Sequence, residues 1–221
     1  MQKSGRTSPA PQTTPGRTRG RPRSFDREAA LSEATRLFWV KGYEATSIAD
    51  LTEAMGIGSP SLYAAFGSKE ALYAEALRHY ADKYEGLVWD NFKAARTARE
   101  AVQSFLMDSA AALTGCILNM PRGCMVTLSS VWSEEHPELD ALMRSARAIS
   151  LDRLVARIGR GVAEGELPAE TDVHGLARFL QSVQSGMSTL ARDGANRAEL
   201  EAVAEIAMQS WDARTGDREG A

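Results

Sequence analysis

Six cations crowd the first two dozen residues: Lys3, Arg6, Arg17, Arg19, Arg21 and Arg23, with no acidic side chain among them. Guanidinium groups at that density suit a polyanion, because each phosphate they neutralise releases condensed counterions. Within the run, Arg19-Gly20-Arg21-Pro22 reproduces the R-G-R-P core of an AT-hook, an extended segment whose arginines fit the narrow minor groove of A·T-rich double-stranded DNA. Arg19, Arg21 and Arg23 are therefore expected to meet DNA. Catalysis has no such foothold. His79, His136 and His174 fall on separate elements, so neither a nucleophile with its base nor a metal-ligand spacing emerges. An enzyme is not expected, nor a metal site or a bound cofactor. Cys116 and Cys124 are too few for a disulfide framework or a zinc site and read as free thiols.

The chain of 221 residues carries a net charge of -3, divided unevenly: residues 1–24 hold +6 and the remainder -9. A hydrophobic content of 43% suffices for a real core. No apolar run approaches the roughly 18 residues of a membrane span. The N-terminus is polar and Pro-rich without a signal-like apolar stretch, so no membrane partner and a cytoplasmic location are expected.

Elements that could position these groups are all helical. Asp26 can cap a first helix with apolar positions Ala30, Ala34, Leu37 and Phe38, ended by Gly42. Ser47 and Asp50 form an S-x-x-D capping box for a second, with Ile48, Leu51 and Met55 facing inward and Gly56 closing it. Ser59 is expected to cap a short third helix with Pro60 in its first turn. Ser68 opens a fourth that runs to about Glu85. Helical stripes then follow at Leu139, Leu142, Ala146 and Ile149; at Leu151, Leu154, Val155, Ile158 and Val162; at Val173, Leu176, Leu180, Val183, Met187 and Leu190; and at Leu200, Val203, Ala204, Ala207 and Trp211. No strand alternation persists. The last two helices are the best dimer candidates; a monomeric bundle needs the same stripes.

Two short helices separated by Gly56-Ile57-Gly58 give the geometry of a helix-turn-helix. The string from Thr46 to Leu72, TSIADLTEAMGIGSPSLYAAFGSKEAL, resembles the DNA-binding segment of the TetR family across its whole length: a T-hydrophobe run, A-x-x-x-G, L-Y-x-x-F and S-K-E-x-L. Thr52 stands where that family usually has Ala. The resemblance implies an all-α fold with an N-terminal three-helix helix-turn-helix DNA-binding domain and a C-terminal helical bundle that binds a ligand and dimerises. It divides the chain into a basic arm (1–24), the reader (25–85, helix-turn-helix 47–66), a regulatory and dimerisation domain (86–213) and a polar tail (214–221). The expected function is a transcriptional repressor that binds operator DNA as a homodimer and is released by an unidentified small-molecule effector. A DNA-organising protein without a ligand switch is the alternative.

Helical spacing points Leu62 and Phe66 inward and Pro60, Ser61 and Ala64 outward into the groove, flanked by Tyr63. The resemblance implies phosphate contacts from Tyr63, Thr46 and Lys69. Ser47 and Ser59, at the helix starts, complete the DNA-facing set. That outward face lacks Arg, Asn and Gln, so base readout should be lean. Residues 25–85 hold six basic against ten acidic side chains, so the arm must supply much of the affinity.

An apolar set, Phe105, Met107, Met125, Leu128, Trp132, Phe179 and Met187, is expected to line the effector cavity; a dry core is the other reading of each. Among them no cluster of His, Arg or carboxylate announces a ligand class. Pro121-Arg122-Gly123-Cys124-Met125 is similar to the R-G-C stretch that opens a ligand-domain helix in one branch of the family, some members of which sense oxidants or electrophiles through a cysteine. Cys124 at a helix N-terminus would sit in a field that favours the thiolate, and joins the ligand-binding set; a small buried hydrophobe is the rival reading.

Overall fold

The computed structural model describes residues 25–118, 120–129 and 136–216. Among these residues the regular elements are all helices, and none is long and apolar enough to cross a membrane. Arg19, Arg21, Arg23 and Trp132, and most of the polar tail, lie outside the described residues.

Helix α1 (Arg27–Lys41) starts where the Asp26 carboxylate accepts the Ala29 amide at 3.0 Å and stops at Gly42, whose φ of 78° few other residues tolerate. Helix α2 (Ile48–Met55) carries the expected Ser47/Asp50 capping box and ends at the left-handed Gly56. Helix α3 (Ser59–Phe66) follows, then α4 (Lys69–Tyr84), capped by Ser68. Glu85 keeps helical dihedrals, so α4 passes into α5 (Gly86–Ala94) without an intervening loop. Helix α6 (Ala98–Leu113) opens with a Thr97/Glu100 capping box. The single turn α7 (Met125–Leu128) leads to the long α8 (Pro137–Ala163), and α9 (Val173–Arg192) and α10 (Arg197–Thr215) complete the bundle.

Two hydrophobic cores form. One joins α1 to α4 around Phe38, Tyr43, Leu51, Leu62, Leu72 and Tyr73; the other gathers α5, α6, α8, α9 and α10 around Phe105, Leu106, Leu154, Leu180 and Trp211. The first core does not stop at residue 85. Met120, Met125, Leu139 and Met143 pack into it, and the Tyr73 hydroxyl donates to the Met143 sulfur at 3.6 Å. The reader thus borrows apolar surface from the later chain, since four short helices bury too little on their own.

Helix α8 spans both cores. Leu139 and Met143 serve the reader, Leu154 and Ile158 the bundle, and the apolar stripe changes face near Ile149, which is exposed. Helix α6 has buried residues almost all the way round its second half, Ser109 to Leu113, because α5, α8, α9 and α10 surround it. That all-round burial leaves its second half without a polar face, while Glu100 and Gln103 keep one on the first.

Candidate nucleic-acid interface and its adjoining cavity

Helix α3 is held by its inner face alone. Leu62 is fully buried and Phe66 nearly so, packed in one core with Leu51 and Met55 of α2. The Phe25 ring meets Phe66 edge-on at 6.3 Å, and the Arg27 guanidinium lies 4.4 Å from the Phe66 ring centre. Ser59, Pro60, Ser61, Tyr63 and Ala64 are all exposed, Tyr63 at 48%. Ser59 is the first helical residue rather than the cap. Gly58 takes the cap position, so no side chain occupies the amides of the first turn.

Two of the expected phosphate ligands are engaged internally. Thr46 is fully buried, with its hydroxyl donated to the Gly42 carbonyl at 2.6 Å, so the expected contact with DNA is corrected to a corner brace between α1 and α2. Lys69 is half-buried, with its ammonium 4.2 Å from the centre of the Tyr43 ring. Tyr43 donates its hydroxyl to Glu70 at 2.8 Å, and burial followed by that carboxylate raises its pKa well above the ordinary value. Ser47 is exposed, but its hydroxyl accepts the Asp50 amide at 3.0 Å and donates to the Asp50 carboxylate at 2.8 Å.

Arg27 and Lys41 are similarly occupied. Arg27 pairs with Glu75 and also donates to the Ala65 carbonyl at 3.3 Å, tying α1 to α3 and α4. Lys41 meets Asp50 at 2.8 Å across the α1–α2 corner. The face around α3 therefore offers shape and hydroxyls with little free positive charge.

Behind the reader lies a cavity of about 790 Å³. Its aromatic and aliphatic lining includes Trp39, Leu77, Tyr80, Tyr84, Trp89, Phe105, Leu113 and Met120; Arg144, Arg147, Arg153, Arg178, Glu85, Gln181, Gln184 and Ser185 supply the polar groups. Of the predicted ligand residues, Phe105 and Cys124 line it. Trp132 lies outside the described residues, and the remaining five are corrected. Met125 is buried in the reader core and Met187 in the bundle core. Met107 packs on the bundle core, Leu128 fits against Gly123, and Phe179 is 38% exposed on the outer side of α9.

Pattern reasoning misses Trp39, Tyr80 and Tyr84 because they sit on α1 and α4, elements assigned wholly to the reader. The Tyr80/Tyr84 pair at i, i+4 is the signal that could have found them. Arg144 and Arg147 are missed because they occupy the segment of α8 where the stripe changes face.

Cys124 precedes α7, a single turn too short for the helix field expected of it. Its sulfur accepts the Tyr80 hydroxyl at 3.3 Å, and its amide donates to the Ser188 hydroxyl at 2.8 Å. Burial holds the Tyr80 pKa well above its ordinary value, so this hydroxyl remains a donor. Gly123 is required twice over: its φ is 78°, and a Cβ there would lie 2.9 Å from the Ser188 carbonyl oxygen.

Cavity wall and reader share further bonds. The Trp39 indole donates to the Gly123 carbonyl at 2.9 Å. From the last turn of α9, Arg192 donates to the carbonyls of Trp39 at 2.9 Å, Val40 at 3.2 Å and Arg122 at 3.0 Å. Trp39 and Val40 lie in the last turn of α1, whose carbonyls lack intrahelical partners and favour a cation.

Residues 30–76 match the family described as "Bacterial regulatory proteins, tetR family". Over 199 residues the chain is 37% identical to the HTH-type transcriptional repressor ComR of Escherichia coli (strain K12), an alignment covering 88% of this chain and 93% of that protein. It is 33% identical to the HTH-type transcriptional repressor BdcR of the same organism, with the same coverage. Among solved structures, a cysteine-substituted form of the TetR family transcriptional regulator CifR, complexed with 26bp double-strand operator DNA, superposes with a TM-score of 0.79 at 44% identity, covering 86% of this chain and all of that one.

Proposed function

The chain belongs to the TetR family of bacterial transcriptional regulators, and from that premise we propose that it is a cytoplasmic repressor that binds operator DNA as a homodimer and lets go when a small molecule fills the cavity. The observation that carries the DNA-binding half is α3: Leu62 and Phe66 anchor it, while Pro60, Ser61, Tyr63 and Ala64 are left to solvent. Resemblance to a relative solved on operator DNA supports the same orientation. With Arg27, Lys41 and Lys69 engaged inside a reader that holds six basic against ten acidic side chains, much of the counterion release falls to the N-terminal arm.

Dimerisation is supported by what α9 and α10 leave uncovered. Phe179 and Leu190 share the outer face of α9, at 38% and 46% exposure, and Ile206 on α10 is 64% exposed. Their inner stripes are consumed by the bundle itself, so these outer faces are the ones free for a second copy.

The cavity supports a ligand switch over a purely DNA-organising role. It touches Trp39 on α1, and Arg192 bonds that same turn, so its filling can shift the reader.

Footprinting and anisotropy on DNA upstream of the protein's own coding region test the reading. One discrete protected site is expected; Tyr63→Ala should weaken it by about tenfold or more with an unchanged melting temperature. Deleting residues 1–23 should weaken binding further and flatten its salt dependence. Equal affinity for the upstream site and for random DNA would overturn the repressor in favour of a DNA-organising protein.

A further inference from the structure

Among the described residues four arginines and one carboxylate line the cavity, and their pairing is unequal. Glu85, the carboxylate, is already shared by Arg153 at 2.7 Å and Lys93 at 3.3 Å, with Arg153 also stacked 4.9 Å from the Trp89 ring centre. Arg144 pairs with Asp140 at 2.6 Å. Arg147 and Arg178 have no carboxylate within ion-pair distance among the described residues. Arg147 is half-buried and donates to the Ser129 carbonyl at 3.3 Å; Arg178 donates to the Gln181 side-chain carbonyl at 3.1 Å. The Gln181 amide in turn donates to the Arg147 carbonyl at 3.0 Å, which links the two arginines across the α8–α9 seam.

A guanidinium carries five N–H donors, so each of these two retains several beyond the bonds just named. At the half-buried Arg147 such a charge is costly until an anion meets it, and a carboxylate does so through two parallel hydrogen bonds, with the exposed Arg178 adding a second cation. The opposite wall is aromatic, with Tyr80, Tyr84, Trp89 and Phe105. That wall suits a flat or aliphatic body. A cationic ligand would find its one carboxylate taken. A volume of about 790 Å³ falls within the range of about 300–1,000 Å³ typical of small-molecule sites.

We propose that the effector is an amphiphile with a single carboxylate, its apolar body against Tyr80, Trp89 and Phe105 and its charge on Arg147 and Arg178. This rests on the ligand-switch reading above and adds the chemical class. Occupation draws α8 and α9 together at the carboxylate, and α9 carries Arg192, the residue bonded to the last turn of α1.

Calorimetry and operator release on the full-length protein test it with matched probes: a phenyl-substituted, a linear medium-chain and a polycyclic carboxylic acid, each beside its primary amide. At least one acid should bind about tenfold or more tighter than its amide and release the operator. Arg147→Gln and Arg178→Gln should each abolish that preference while leaving amide binding, unliganded operator affinity and melting temperature in place. Arg178 is exposed, so its variant keeps the test sound if Arg147→Gln disturbs packing. Acids and amides that bind and release equally, in parent and variants alike, would overturn the anion and leave the ligand switch standing. Failure of every probe in both series to bind would count against the cavity as an effector site altogether.

Discussion

Residue by residue, much of the reader's polar chemistry at the α1–α2 corner is spent internally, and the outer face of α3 is left plain. Asp50 illustrates the first half. The hydrogen bond from Lys41, followed by those from Ser47, holds its carboxylate well below the usual range. A depressed folded value means that the stabilisation is complete above the unfolded pKa, about 3.9, and drains away as pH falls through the folded one. Ser47→Ala should cost about 1 kcal/mol at neutral pH through loss of the N-cap. The gap between variant and parent, followed by thermal melts, should narrow as pH is taken from about 5 to about 2. A gap that stays constant would mean that Ser47 acts on the helix without acting through Asp50. Thr46 shows the other side of the same economy: a threonine spent on the Gly42 carbonyl cannot also bind phosphate.

At the scale of the element, α9 links the two halves. Its Leu180 and Met187 serve the bundle core, its Ser188 receives the Cys124 amide, and its Arg192 reaches the end of α1. Helix α8 is the complementary strut, with one half in each core and Arg147 between them. Arg192→Ala removes the bonds to Trp39, Val40 and Arg122 and should lower stability by about 1.5–3 kcal/mol. Its more telling consequence is for coupling. The ratio of operator Kd with and without effector should shrink toward one, while the unliganded Kd stays within about threefold of the parent. An unchanged ratio would remove Arg192 from the route.

For the molecule as a whole, the proposed homodimer would set two readers on one operator, which a reader with so little net charge calls for. The uncovered faces of α9 and α10 are where the copies would join. Ile206→Glu should convert the dimer to a monomer in light scattering and abolish the concentration dependence of the melting temperature. Operator affinity should fall with it, since half-sites would be bound singly. A variant that remains dimeric would place the interface on another surface.

Local pattern sufficed for the helices with one polar face, for the caps at Asp26, Ser47 and Ser68, and for the helix-turn-helix with its inward Leu62 and Phe66, because periodicity and capping are local properties; the cap of α3 passed from Ser59 to Gly58. The lack of Arg, Asn and Gln from Pro60 to Ala64 is likewise open to direct reading. Only the tertiary structure decided what each face meets. It buried Thr46, laid Lys69 on Tyr43, turned Phe179 outward, and moved Met125 into the reader core. It also assembled the cavity from α1 and from α4 to α9, so that aromatics from the reader face arginines more than a hundred residues away in the case of Trp39 and Arg147. An apolar stripe announces that a helix is covered; the partner that covers it depends on packing across the chain, which no local window contains.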